Sequence, residues 1–161
     1  MPDAVCSVGG AWLTAAPLGL LLALAALSDL RWMRIPNALV LATVALFAVT
    51  HAPCLETADL VWRVAVALVI VLTGLAAFAA GLVGAGDVKF LAALSLFVPA
   101  DDWVLFLFML GVGLLLAVAL TLGLRRVAAD PGSHWKVLAD EAGRLPAGVG
   151  LGLAGWGFLL T

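Results

Sequence analysis

The chain has 161 residues, 65% of them hydrophobic and 11% charged, with a formal net charge of -2 and a mean hydropathy of +1.22. This excludes a water-soluble domain, most of whose residues would have to face solvent, and points to one integral membrane domain over residues 1–161. The scattered basic residues exclude a phosphate-tracking patch and so a nucleic-acid partner. The two cysteines, Cys6 and Cys54, form no C-x-x-C pair, so no metal and no cofactor is expected.

The N-terminus lacks a basic n-region, and the first apolar run ends in Ser28-Asp29 rather than at a small-residue cleavage site. It therefore reads as a retained membrane helix, not a removable signal peptide. A spanning helix needs roughly 20 mostly apolar residues. Ala11–Ser28, Leu60–Leu82 and Trp103–Leu124 meet this requirement. Ala38–Thr50, Val88–Val98 and Pro146–Leu160 are shorter and can span if their flanks contribute or the bilayer thins. The expected fold class is all-α: a polytopic membrane bundle of about six transmembrane helices with the N-terminus outside. Four or five spans with one re-entrant or interfacial piece is the alternative.

Charge supports that topology. With the N-terminus outside, the inner segments hold Arg31, Arg34, Lys89, Arg125, Arg126, Lys136 and Arg144, leaving only Arg63 near the outer end of the third helix. The outer side collects Asp3, Glu56, Asp59, Asp101 and Asp102, as the positive-inside rule requires. Trp12, Trp62 and Trp103 fall near outer interfaces and Trp32 and Trp135 near inner ones, as an aromatic belt would have it. Gly74, Gly81, Gly111 and Gly113 allow close helix approach. Between residues 125 and 145, Asp130-Pro131-Gly132 reads as a turn, and 134–144 as a short amphipathic helix on the inner surface.

Two polar stretches interrupt the apolar runs. One is Ser28-Asp29-Leu30-Arg31-Trp32-Met33-Arg34-Ile35-Pro36-Asn37, the other Gly84-Ala85-Gly86-Asp87-Val88-Lys89. An acid beside an apolar run is costly and marks a functional site. The glycines permit another backbone to approach, and Asp87 opens a helix whose dipole favours a carboxylate. A plain interhelical turn with a capping Asp is the competing reading. For Asp29 the competing reading is an ion pair with Arg31 or Arg34; for Lys89 it is a snorkelling, positive-inside lysine, the stronger of its two readings. The topology places Asp29 and Asp87 at the inner ends of their helices. Two carboxylates sharing a partly desolvated site hold one proton between them, the arrangement that activates water against a peptide carbonyl.

The pattern Asp29-x-Arg31-x-x-x-Ile35-Pro36-Asn37 followed by Gly84-x-Gly86-Asp87-x-Lys89 resembles the type IV prepilin peptidases, GxGD-type aspartic proteases of bacterial inner membranes and archaeal membranes. The length is similar to that of the small branch serving tight-adherence (Flp) pili. The segment from Arg144 through Pro146 to Gly150 resembles that family's C-terminal Pro-Tyr-Gly segment, with Ala147 in place of the Tyr. The resemblance implies cleavage of a short basic leader from prepilins or pseudopilins on the cytoplasmic side of the inner membrane, just before a hydrophobic helix. It assigns catalysis to Asp29 and Asp87 and support to Arg31, Pro36, Asn37, Gly84, Gly86, Lys89 and Pro146. It implies as partners the prepilin, the lipid bilayer and the pilus assembly machinery. The cytosolic region with paired cysteines that carries methylation in bifunctional members has no counterpart here, so no methylation is expected. The leader would be basic, and Asp130, Asp140 and Glu141 would meet it; a solvated loop face is the equal alternative.

Cys6 and Cys54 fall on the same outer side, where a disulfide is geometrically allowed; free buried cysteines are the alternative. Two rival functions remain: a non-catalytic scaffold of a pilus or secretion assembly, and a small transporter binding a cation or proton at the two acids. The charge topology argues against the transporter, which would hold the acids near the midplane.

Overall fold

The computed structural model describes residues 11–128 and 147–159, and these residues contain helices and no strand. Six α-helices follow in order: α1 Ala11–Trp32, α2 Asn37–Thr50, α3 Thr57–Ala79, α4 Ala85–Ser95, α5 Trp103–Ala128 and α6 Ala147–Leu159. Single 3-10 turns, Ala52–Cys54 and Ala100–Asp102, lie before α3 and α5. Four segments are long and apolar enough to cross a membrane: Thr14–Trp32, Asn37–Cys54, Thr57–Ala79 and Ala100–Leu124. The chain is an all-helical membrane protein. α4, with 11 residues, is too short to cross by itself. The expected amphipathic stretch 134–144, with Asp130, Lys136, Asp140, Glu141, Arg144 and Pro146, lies outside the described residues, as do Asp3, Cys6 and Trp135.

The packing order places α6 at the centre of one layer, between α5 and α1, while α2 joins α1 to α4 and α4 carries α3. Apolar burial is confined to a narrow seam, because lipid replaces solvent around the rest. Leu22, Ala25, Phe47, Phe90, Leu94 and Leu151 form its middle. Leu82 is 78% and Val104 81% exposed, which suits side chains facing hydrocarbon. Without a hydrophobic drive between helices in lipid, close backbone approach holds them together. α6 touches α5 where Gly150 faces the Leu114 backbone; a Cβ there would sit 2.9 Å from the Leu114 Cα.

The boundaries differ from expectation in two instructive places. α1 does not stop at Ser28 but runs through Asp29 and Arg31 to Trp32. It ends when Met33 enters the left-handed region at φ 53, its N–H still donating to the Asp29 carbonyl at 2.8 Å. The Ser28 hydroxyl then donates to the Arg34 carbonyl at 2.8 Å and folds the following turn back on the helix. α3 stops at Ala79 rather than Leu82, because Gly81 adopts φ 74. Gly81 N–H donates to the Phe78 carbonyl and Leu82 N–H to the Ala77 carbonyl, a Schellman stop that satisfies the last carbonyls.

Arg63, the one basic residue left outside the positive-inside pattern, is 5% exposed. Its guanidinium pairs with Asp59 at 3.0 Å and donates to the Leu96 carbonyl at 3.1 Å. It thus closes the C-terminus of α4 and ties α3 to it; a cation there also suits the helix dipole. Cys54 is disulfide-bonded, which removes the free-thiol alternative for it. The chain's other cysteine lies outside the described residues.

Candidate active site

Each of the two acids sits at the N-terminus of a helix. Gly84 is the N-cap of α4 with φ -79 and ψ 139, and Asp87 is the third residue of that helix. From there the Asp87 carboxylate turns back and accepts the Gly84 backbone N–H. This is half of a capping box, satisfying a donor the helix itself leaves free. It also explains the first glycine of the motif: a Cβ on residue 84 would lie 2.6 Å from Asp87 Oδ2. The second glycine has another neighbour. A Cβ on Gly86 would stand 3.3 Å from the Ile35 carbonyl oxygen and 3.4 Å from its nitrogen, so the turn after α1 rests directly on the start of α4.

Asp29 is 5% exposed and reaches a different helix. Its Oδ2 accepts the Gly148 N–H at 2.7 Å, and the Val149 N–H also donates to this carboxylate. Both donors belong to the first turn of α6, so Asp29 caps that helix from α1. The expected alternative, pairing with Arg31 or Arg34, does not occur among the described residues: Arg31 instead lies over the Trp32 ring at 4.9 Å.

Asp29 and Asp87 line the same cavity of about 870 Å³, and the charge on Asp87 acts on Asp29. Met33, Arg34, Phe78, Val83, Gly84 and Leu114 share its walls. Burial pushes the Asp87 carboxyl above its ordinary value, with the Gly84 N–H opposing part of the rise. The other motif residues lie around the cavity. Pro36 and Asn37 line a separate groove of about 470 Å³ with Trp32 and Arg34. Lys89 Nζ donates to Asn37 Oδ1 at 3.2 Å, joining the two motifs across 52 positions. A lysine held by an asparagine in this way acts as a clip between α4 and α2.

A further cavity of about 250 Å³, lined by Thr14, His51, Phe97 and Phe106 among others, holds no carboxylate. Among the described residues no cluster of three or more His, Cys, Asp or Glu side chains is placed to hold a metal ion.

A model of the type IV leader peptidase family matches residues 16–124, more than half of the chain. The chain belongs to the type IV leader peptidase family. No curated protein and no solved structure matches it. Family membership makes it a membrane peptidase of the leader-processing class. The matched span of this leader peptidase includes both motifs and both acids but ends before α6. The residues that hold Asp29, Gly148 and Val149, therefore lie beyond it; the sequence marked them as part of the 144–150 segment but did not connect them to Asp29. The available signal was the glycine at 148 just after Pro146, where a backbone approach needs a missing side chain.

Proposed function

We propose that this leader peptidase is an aspartic endopeptidase formed by a single membrane domain, with Asp29 and Asp87 as its catalytic pair. It removes the basic leader of a type IV prepilin or pseudopilin of the Flp kind. The cut falls at the cytoplasmic face of the inner membrane. The observation that carries this reading is the shared cavity: two carboxylates 58 positions apart in sequence open into one space and sit at the starts of two helices.

The chemistry follows from having two acids and one proton. The ionised carboxylate takes a proton from a water as its oxygen attacks the scissile carbonyl carbon. The protonated carboxylate gives its proton to the carbonyl oxygen, so no full oxyanion forms. Collapse of the tetrahedral intermediate breaks the C–N bond, and the proton taken from water goes to the leaving nitrogen. Arg34 on the cavity wall offsets the negative charge, and backbone N–H groups fix both carboxylates. Fixed dipoles of this kind need no reorganisation during reaction. In this reading Gly84 and Gly86 shape the turn, and Asn37 and Lys89 clip it. Arg31 and Pro36 set the turn after α1, and Pro146 precedes the helix that Asp29 caps.

The test is leader cleavage by Asp29→Asn and Asp87→Asn in detergent or reconstituted membranes. Each should abolish processing while expression and membrane insertion persist. Processing at native rates by both variants would leave the scaffold function in its place.

A further inference from the structure

The second cavity, of about 250 Å³, lies at the end of the bundle away from the two acids. Thr14 in its wall is roughly 22 Å along α1 from Asp29, and Phe158 is roughly 15 Å along α6 from Gly148, at the helical rise. Leu18, Leu94, Phe97 and Phe106 supply much of the remaining wall. Among the described residues no carboxylate, lysine or arginine lines it.

Two polar side chains break this apolar lining. Thr14 is 8% exposed. The hydroxyls of Thr43, Thr73 and Thr121 turn back and donate to carbonyls of their own helices. That of Thr14 has no partner among the described residues and is left to the cavity. The second is His51, just past α2. Thr50 Oγ1 donates its single hydrogen to the Leu46 carbonyl at 2.6 Å. Toward His51 Nδ1, 3.0 Å away, it therefore acts as the acceptor. Nδ1 carries the hydrogen, and in the neutral ring Nε2 presents a lone pair that no described residue meets. Phe47 stacks on the imidazole and Phe97 meets it edge-on at 5.0 Å, so the ring is held in place.

These features select an occupant. Water alone does not match: the volume equals about eight waters, each needing roughly two to four polar partners, and the side chains of the wall offer only Thr14 and His51. A charged ligand would find no counter-charge. A plain hydrocarbon would leave both polar groups unmet. A hydroxyl supplies what each lacks, a hydrogen for His51 Nε2 and a lone pair for the Thr14 hydroxyl, and an apolar body suits the leucines and phenylalanines.

We propose that this cavity binds a neutral lipid alcohol, a molecule with one free hydroxyl on an apolar body. The hydroxyl lies toward Thr14 and His51, and the apolar part lies against Leu18, Leu94 and Phe106. The site shares no residue with the cavity of the two acids, so it stands apart from the peptidase reading. Its occupant touches α1, α4, α5 and α6 together and braces the end of the bundle opposite the catalytic motifs.

The test uses octanol carrying a diazirine on its chain, photolysed with the full-length protein in phospholipid nanodiscs, with adducts located by mass spectrometry. Adducts should concentrate on Leu18, Leu94 and Phe97. Unlabelled octanol should displace them, and octyl methyl ether, which has no hydroxyl hydrogen, should not. Thr14→Val keeps the shape and should lower labelling by about five- to tenfold, the loss of one hydrogen bond. Thr14→Ser should retain labelling, and His51→Phe, which preserves the stack on Phe47, should lower it. Unfolding midpoints in detergent separate loss of the site from loss of the fold, and the ether comparison on the native protein holds even where a variant fails to fold. Competition with dioctanoylglycerol and with farnesol distinguishes an acylglycerol from an isoprenoid alcohol as the source; displacement by neither overturns a lipid alcohol as the ligand. Equal displacement by alcohol and ether, or native labelling in both Thr14→Val and His51→Phe, overturns the proposal. So do adducts spread over lipid-facing residues such as Leu72, 67% exposed on α3, with no enrichment in the cavity.

Discussion

Gly148 donates its backbone N–H to Asp29 Oδ2 at 2.7 Å across 119 positions of sequence. The bond needs the missing side chain as much as the N–H. A Cβ at residue 148 would lie 2.9 Å from both the Asp29 Cβ and Oδ2. Those atoms are buried and close to the backbone, so they cannot swing away as the end of a long side chain could. Gly148→Ala should therefore displace the carboxylate and lower cleavage by on the order of 10²-fold, the cost of misplacing a catalytic group by about 1 Å. Gly157→Ala on the same helix is the control. Its added Cβ meets the flexible Met109 sulfur at 3.1 Å and should be tolerated. Equal rates for Gly148→Ala and the native protein would show that Asp29 is not held by α6 during catalysis.

The two motif glycines should not be equivalent. Gly84→Ala places a methyl 2.6 Å from Asp87 Oδ2 and forces the carboxylate off its own helix cap. Gly86→Ala meets the Ile35 backbone at 3.3 Å, which a small shift of the turn can relieve. Cleavage assays should rank Gly84→Ala well below Gly86→Ala, with the latter losing thermal stability more than turnover. The reverse order would mean that the turn after α1, rather than the Asp87 orientation, limits the reaction.

These relationships explain which parts of the site were legible in the sequence. The 84–89 turn was legible because glycines and charges are rare neighbours within apolar runs, and each has a local physical use. The helix layout was legible from the same runs. The end of α1 was not. Asp29 and Arg31 look like loop residues when lipid is assumed on every side, but one faces a cavity and the other lies over Trp32. Gly148 was legible as part of the 144–150 segment, but its use was not: its partner, Asp29, is a contact across 119 positions that no local pattern encodes. Arg63 looked like a topology exception because a buried cation is invisible until its partners, Asp59 and the Leu96 carbonyl, are brought together.

Arg63 gives a prediction about stability rather than chemistry. It sits at the far end of α4 from Asp87, so its removal should spare the acids. Arg63→Met leaves the Leu96 carbonyl without its donor, a loss of about 1–3 kcal/mol for a buried polar group. The Asp59 partner keeps a third of its side chain exposed, so the ion pair itself adds no more than about 1 kcal/mol. Arg63→Lys should not restore the loss, because a single ammonium cannot reproduce the fork that reaches both Asp59 and Leu96. Thermal unfolding in detergent should fall for both variants while cleavage per folded molecule is kept. A native unfolding midpoint would remove Arg63 as the tie between α3 and α4.

Asp87 should make the protein less stable than its asparagine variant, in a way that depends on pH. Burial raises its folded-state pKa above the ordinary value of 3.8. Below that value both the folded and unfolded chains carry the proton, and the group contributes no difference. As pH rises past 3.8 the unfolded chain ionises freely while the folded one resists, so native stability declines until the folded pKa is passed. Asp87→Asn carries no charge, and its amide oxygen can still accept the Gly84 N–H. Its unfolding midpoint should therefore exceed the native one at neutral pH, and the gap should close as pH falls toward 4. An inactive but stabilised variant is what a site holding a destabilised acid for catalysis would give. Parallel pH curves for the two proteins would show that Asp87 ionises as easily in the fold as in water, and would remove burial as the source of its raised pKa.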